Sequence, residues 1–216
     1  MKKLMLGLLM AVSFYSNAQE YKLEEKSISC VFDANGKTKA ELYLIINKWI
    51  SLNFVSPKTV LQLNDADTGN IIIKSSDKIM YKCLYLSFLP KIYIEKGSFE
   101  YILGTYGNLI EIDLKDNKYR VKYTINQCIK DFNNDINTTE LYKGINFIND
   151  NYDNVDYNIL ADSYCKYFNI KKKDRENFIL TLKPTFKEIN TVLEKVIKTS
   201  LLSIDELVKS TKNDKW

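Results

Sequence analysis

No histidine occurs in the 216 residues, and that absence removes the constellations usually sought first. Ser-His-Asp and Cys-His triads, His-bearing zinc sites, the two-His iron triad and the ordinary near-neutral pH switch all need an imidazole. Carboxylate, thiol and lysine chemistry remain. Asp67-Thr68-Gly69 has the form of the aspartic-protease triplet, but that mechanism shares one proton between two Asp carboxylates in matching loops, and no second copy exists. Asn64-Asp65-Ala66 precedes the triplet where an apolar strand would be required, so these residues read as a turn. Asp65, Asp67 and Asn70, or Asp150, Asp153 and Asp156, suggest calcium. An EF-hand loop, however, needs Gly at its sixth position and a bidentate acid at its twelfth. Counted from Asp65, Gly69 falls fifth and Ser76 twelfth, so the template fails and solvated turns are expected. The reading is therefore no catalytic residue, no metal site and no cofactor.

Cysteine and lysine add little. Cys30, Cys83, Cys128 and Cys165 contain no C-x-x-C and no short metal spacing. In an oxidising compartment they allow three disulfide pairings, and a core of this size equally accommodates them as buried thiols. Lys171-Lys172-Lys173-Asp174-Arg175 reads as a solvated helix start, with contact to an anionic surface as the sharper alternative. Asn137-Thr138-Thr139 matches the N-glycosylation pattern.

Aromatic residues are the class best suited to recognition: 15 Tyr, 10 Phe and 2 Trp. Tyr81, Tyr85, Phe88, Tyr93, Phe99, Tyr101 and Tyr106 crowd the stretch 77–106. Most should pack in a core. The remainder form a candidate surface, because an exposed Tyr gives large contact area at small entropic cost. Tyr93, Phe99, Tyr101 and Tyr106 are the binding candidates.

Lys2 and Lys3 followed by an apolar run over 4–14 and the small residues Ser16-Asn17-Ala18 form a signal-peptide pattern. The run is too short to span a bilayer, which needs about 20 residues. Cleavage after about Ala18 would leave 198 residues beginning at Gln19, with no later transmembrane segment, in the periplasm or outside the cell. That chain holds 29 basic and 27 acidic residues, a balance of +2, and its only arginines are Arg120 and Arg175. Nucleic-acid recognition leans on a broad basic footprint and on bidentate arginine, so no nucleic-acid partner is expected. An envelope protein or a small ligand is.

The elements that must position these residues are readable in part. SISCVF at 27–32 is a strand, broken by Asn35-Gly36. Thr38 and Glu41 then form a capping box for a helix burying Leu42, Ile45, Ile46 and Trp49. Runs at 59–64 and 71–75 flank a turn in which Gly69 can take positive φ. A third strand is expected over 79–88, and an irregular, aromatic-bearing connection or additional strand over 89–106. In 109–127, Ile110, Ile112 and Leu114 alternate with acids, and Tyr119, Val121 and Tyr123 alternate with bases, on either side of Asp116-Asn117. A two-residue turn sets Asp113 against Arg120 and Glu111 against Lys122 while matching the apolar rows, so two patterns fix one register. Residues 131–158 read as loops around a short helix near 138–146. Helices follow over 158–168 and 174–182, another starts at Pro184, and a last one starts at a Ser203–Glu206 capping box.

Gly36-Lys37-Thr38, Glu41-Leu42-Tyr43, Trp49, Asp67-Thr68-Gly69-Asn70-Ile71 and the hairpin 113–123 occur in an order that resembles a bacterial domain of unknown function with a TATA-binding-protein-like fold, common in exported proteins. The resemblance covers 27–126. It departs in a longer middle, an aromatic-rich insert near 77–106, and in everything after 131. It implies an α+β fold, an antiparallel curved sheet packed on one N-terminal helix in residues 19–130. A loop-rich, then helical, C-terminal extension follows over 131–216. The resemblance implies no activity. The expected function is a non-enzymatic binding or interaction module at the envelope. A hydrolase using a carboxylate pair about 5–10 Å apart and a structural accessory of an envelope assembly are the alternatives.

Overall fold

Alternation on either side of Asp116-Asn117 builds the centre of the molecule, a computed structural model that describes residues 20–24, 26–88, 101–130 and 155–211. Strands β5 (Tyr101–Lys115) and β6 (Lys118–Lys130) pair in the expected register, Asp113 opposite Arg120 and Leu114 opposite Tyr119. Asn117 takes the turn at φ 65°. Four further strands complete one antiparallel sheet: β1 (Lys22–Leu23), β2 (Ser27–Asp33), β3 (Leu61–Asp65) and β4 (Asn70–Lys82), in the order β1-β2-β6-β5-β4-β3. The edges are the two- and five-residue strands, too short to template further pairing.

Helix α1 (Lys39–Asn53) starts on the capping box as expected: Glu41 N donates to Thr38 Oγ1, and Thr38 N donates to Glu41 Oε2 at 2.7 Å. Its buried stripe is Leu42, Ile45, Ile46, Trp49 and Ile50. A four-residue helix α2 (Pro57–Val60), with Pro at its first turn, occupies the start of what the sequence suggests is a strand, so β3 begins only at Leu61.

The middle differs from expectation. β4 is one strand, and the third strand expected over 79–88 is its second half; a single 3-10 turn follows at Leu86–Phe88. Lys74-Ser75-Ser76-Asp77-Lys78 reads as a break because polar residues interrupt the apolar alternation. The strand continues because β5 supplies partners: Ser75 Oγ donates to Asn108 Oδ1 (2.6 Å), Asn108 Nδ2 to Asp77 Oδ2 (2.8 Å), and the Tyr123 hydroxyl to the Asp77 carboxylate. Residues 101–106 are likewise the first part of β5.

The C-terminal helices α3 (Tyr157–Phe168) and α4 (Arg175–Ser210) form the second layer of the same core, so the sheet packs on a C-terminal helix as well as on α1. Pro184 and Ser203 do not start helices; both lie inside α4. Phe178, Leu182, Phe186, Ile189, Leu193, Ile197, Leu201, Ile204 and Val208 are all buried at spacings of three or four, one stripe along the entire helix. An interior Pro costs about 3 kcal/mol, whereas burial of each such side chain returns roughly 1.5–3 kcal/mol, so continuity wins. Pro184 itself is exposed. Thr185 beside it is buried and accepts from Leu84 N at 3.0 Å. Ser203, read as a cap, instead accepts from Trp49 Nε1 (3.0 Å) and donates to Ser200 O.

The proposed signal segment, the helix expected near 138–146, the Asn137 sequon, Asp150 and Asp153 lie outside the described residues. None of the four cysteines forms a disulfide; Cys30, Cys83 and Cys128 are buried and Cys165 is half-buried.

Candidate functional site

The stretches that carry the resemblance converge on one end of the sheet. Asn117 N donates to Lys37 O (2.8 Å), Gly36 N to Asn117 Oδ1 (2.8 Å), and Ala34 N to Asn117 O (2.7 Å). Lys39 N donates to Asp116 Oδ1, and Lys39 Nζ reaches Asp67 O. Asp65 Oδ1 accepts from Asp67 N and Thr68 N, which accounts for the Asp-x-Asp pattern as a turn. Gly69 takes φ +74°, and Leu114 N donates to its carbonyl at 2.9 Å. Lys37 Nζ donates to Thr211 O, tying the end of α4 to the same corner.

On the sheet face away from the helices, this corner forms a depression of about 430 Å³ lined by Val31, Thr68, Asn70, Asp113, Leu114, Lys115, Lys118, Tyr119 and Arg120. The registers explain its composition. Asn70 lies opposite Asp113, Asp113 opposite Arg120, and Arg120 opposite Val31, a row across four strands. Arg120 donates from Nε (2.9 Å) and from a terminal nitrogen (2.5 Å) to the same Asp113 oxygen. Lys115 and Lys118 face each other at the closing pair of the hairpin, and both are exposed.

The whole open face is basic. Along β4 it carries Lys74, Lys78 and Lys82, at the hairpin end Lys115, Lys118, Arg120 and Lys122, and at the edge Lys22. Five carboxylates accompany these eight cations: Glu24, Asp33, Asp65, Glu111 and Asp113. Lys122 pairs with Glu24 at 3.0 Å rather than with Glu111, its neighbour in the register. Lys122, then Ser27 and Lys22, hold the Glu24 carboxyl down at about 2.

Of the aromatic candidates, Tyr101 is half exposed on this open face, directly opposite Lys82, with exposed Leu103 and Met80 opposite each other beside it. Tyr106 is a correction: it is fully buried on the helix side, as are Tyr81 and Tyr85, because alternation along β5 turns even-numbered residues inward. Tyr93 and Phe99 lie outside the described residues. The apolar component of the face thus includes Met80 and Leu103, which sequence reasoning missed; only the long-range β4–β5 register puts them together.

The buried carboxylates serve the core. Burial raises the Asp77 carboxyl, against the pull of Tyr123 and Asn108. Asp205 accepts from the Tyr119 hydroxyl (3.2 Å) and pairs with Lys209 (2.6 Å). Each is held by its own structural partners. Among the described residues no three His, Cys, Asp or Glu side chains cluster as metal ligands, and no helix is long and apolar enough to cross a membrane.

A family model described as a domain of unknown function (DUF4468) with TBP-like fold matches residues 29–142. No curated protein matches the chain. Among solved structures, a TBP-like protein from Parabacteroides distasonis aligns at 14% identity, over 88% of this chain and 97% of that one, with a TM-score of 0.46. A DUF4468 family protein from Bacteroides ovatus aligns at 12% identity over 76% and 88% of the two chains, with a TM-score of 0.38.

Proposed function

Because the chain belongs to the DUF4468 family, whose description names a TBP-like fold and no activity, we propose from its surfaces that it is an exported, non-enzymatic interaction module whose open sheet face binds an anionic partner at the cell envelope. One observation carries this reading. Helices fill one side of the sheet, whereas among the described residues the other side stays open and carries eight cations against five carboxylates, beside exposed Val31, Met80, Tyr101 and Leu103. A face that folding does not need to be apolar, and that nevertheless exposes large apolar side chains among lysines, is suited to a partner with an acidic rim and an apolar centre. Seven of the eight cations on this face are lysines, which give charge attraction without the bidentate geometry of base reading, so the reading takes a partner other than nucleic acid. Export rests on the Lys2-Lys3, apolar-run and Ser16-Asn17-Ala18 pattern.

Photo-cross-linkers placed at Val31, Lys74 or Met80, and at Leu180 on the far side as control, test this in intact cells. Adducts to one envelope component from the open-face positions alone support the reading. Equal adducts from Leu180, or sub-micromolar binding of the purified protein to duplex DNA, would overturn it. Amino-terminal sequencing of the envelope fraction should begin at Gln19; a chain still starting at Met1 in the cytoplasm refutes export.

A further inference from the structure

We propose that the depression between the β3–β4 and β5–β6 turns is an oxyanion-recognition site, taking the phosphate or carboxylate of a small ligand on Arg120, Lys115 and Lys118, and that Asp113 occupies Arg120 until the ligand arrives. This deepens the reading of the open face by assigning one place on it a ligand chemistry. Its volume, about 430 Å³, lies within the range of small-molecule sites.

Three cations and one carboxylate line it, together with the Thr68 hydroxyl and the Asn70 amide, which can donate to oxygen. Lys115 opposite Lys118 is a like-charge pair at the closing position of a hairpin, where an opposite-charge pair would hold the turn better. An anion between them converts that repulsion into attraction. Arg120 spends two donors on a single Asp113 oxygen. A guanidinium has five N–H donors, so others remain for a ligand oxyanion, and the fork suits a planar carboxylate or a phosphate face. The pair is substantially exposed, with side chains 59% and 37% accessible, so Asp113 is a weak internal competitor that a charged ligand can displace. Val31, 58% exposed at the end of the same row, offers an apolar contact for the body of the ligand.

Titration of the purified protein with phenyl phosphate, benzoate and phenol, followed by calorimetry and amide chemical shifts, tests the site. Phenyl phosphate or benzoate should bind and shift the amides of Thr68, Lys115, Lys118 and Arg120, and phenol should not; whichever anion binds tighter identifies the oxyanion. Lys115→Gln with Lys118→Gln should weaken binding about tenfold, or about 1.4 kcal/mol. Asp113→Asn should tighten it roughly threefold by removing the competitor. Lys187→Gln with Lys195→Gln, exposed on α4, should leave it unchanged. Unfolding midpoints of the variants confirm that the fold persists, since every altered side chain is exposed or half-buried. The assignment is overturned if neither anion binds at about 10 mM, if phenol binds as well, or if the Lys115/Lys118 variant binds like the wild type. Failure of the titration with open-face cross-links intact removes this site alone. Loss of those cross-links with the titration intact removes the interaction reading and leaves the site.

Discussion

Gly69 and Gly36 both hold positive φ, +74° and +80°, yet their substitution by alanine should have very different consequences. At Gly36 a Cβ would meet nothing within 4 Å. The cost is then the left-handed conformation alone, about 1–2 kcal/mol for a residue with a side chain, offset by roughly 0.4–1 kcal/mol from the stiffer unfolded chain. The net loss should be about 0.5–1 kcal/mol. At Gly69 the same Cβ would sit 2.8 Å from Leu114 O, 2.9 Å from Lys39 Cδ and 3.3 Å from Leu114 Cβ. Lys39 can swing aside. Leu114 cannot, because it is paired with Tyr119 inside β5 and its own N–H donates to the Gly69 carbonyl. Separating the two backbones sacrifices that bond, worth about 0.5–1.5 kcal/mol net, and strains the corner where α1, β4 and the hairpin turn meet. Gly69→Ala should therefore cost about 2–4 kcal/mol, at least twice the loss at Gly36. Urea unfolding of both variants, with unchanged m-values, measures the difference. Equal losses would show that positive φ alone explains both glycines and that the approach to Leu114 is not a constraint.

Asp77→Asn should remove a pH dependence. Burial raises the native Asp77 carboxyl above its ordinary value, so between the two values the folded chain keeps a proton that the unfolded chain has released. Stability should fall as pH rises through that window in the wild type relative to Asp77→Asn; a relative gain refutes the assignment. A double-mutant cycle of Trp49→Phe and Ser203→Ala should give a coupling of about 0.5–1.5 kcal/mol for the bond joining α1 to α4, and additivity within error would deny it. Alkylation of the native protein should label Cys165 first, because Cys30, Cys83 and Cys128 are buried and burial pushes the Cys30 thiol up to about 11. Mass spectrometry showing Cys30 modified at an equal rate would contradict that burial. Met80→Ser with Leu103→Ser should leave the unfolding free energy from urea titration within about 0.5 kcal/mol of the wild type while reducing cross-links from the open face.

The legible parts of the sequence were those where local pattern and tertiary contact agree. The β5–β6 hairpin carries two independent alternations that select one register, and Thr38 with Glu41 fixes the start of α1 by a contact three residues long. The illegible parts depend on distant partners. Polar Ser75 and Asp77 look like a break in β4 until Asn108 and Tyr123 supply their hydrogen bonds. Pro184 looks like a helix start until the buried stripe from Phe178 to Val208 is seen to run past it. Tyr106 looked like a recognition residue because aromatic density says nothing of which side of a strand a residue faces; its odd-numbered neighbour Tyr101 is the one left outside. Of the depression, only the Asp113–Arg120 pair was readable, since Thr68 and Asn70 reach it through the β4–β5 register.

That division also separates what the family resemblance explains from what it leaves to this chain. Gly36, Lys37, Asp67, Gly69 and Asn117 spend their backbone and side-chain groups closing one corner of the sheet, and Leu114, Tyr119 and Val121 point inward to the helices. Their roles are structural, so they carry the fold without indicating a ligand. In the same two stretches, Thr68, Asn70, Asp113, Lys115, Lys118 and Arg120 fall on the alternate face. The core asks nothing of those positions except solubility, which a mixture of charges would satisfy. The hairpin instead places two lysines opposite each other, and three more stand along β4 on the same side. A concentration of one sign of charge opposes folding slightly and favours an anionic partner, and among the described residues it occurs on the sheet face that the helices leave open.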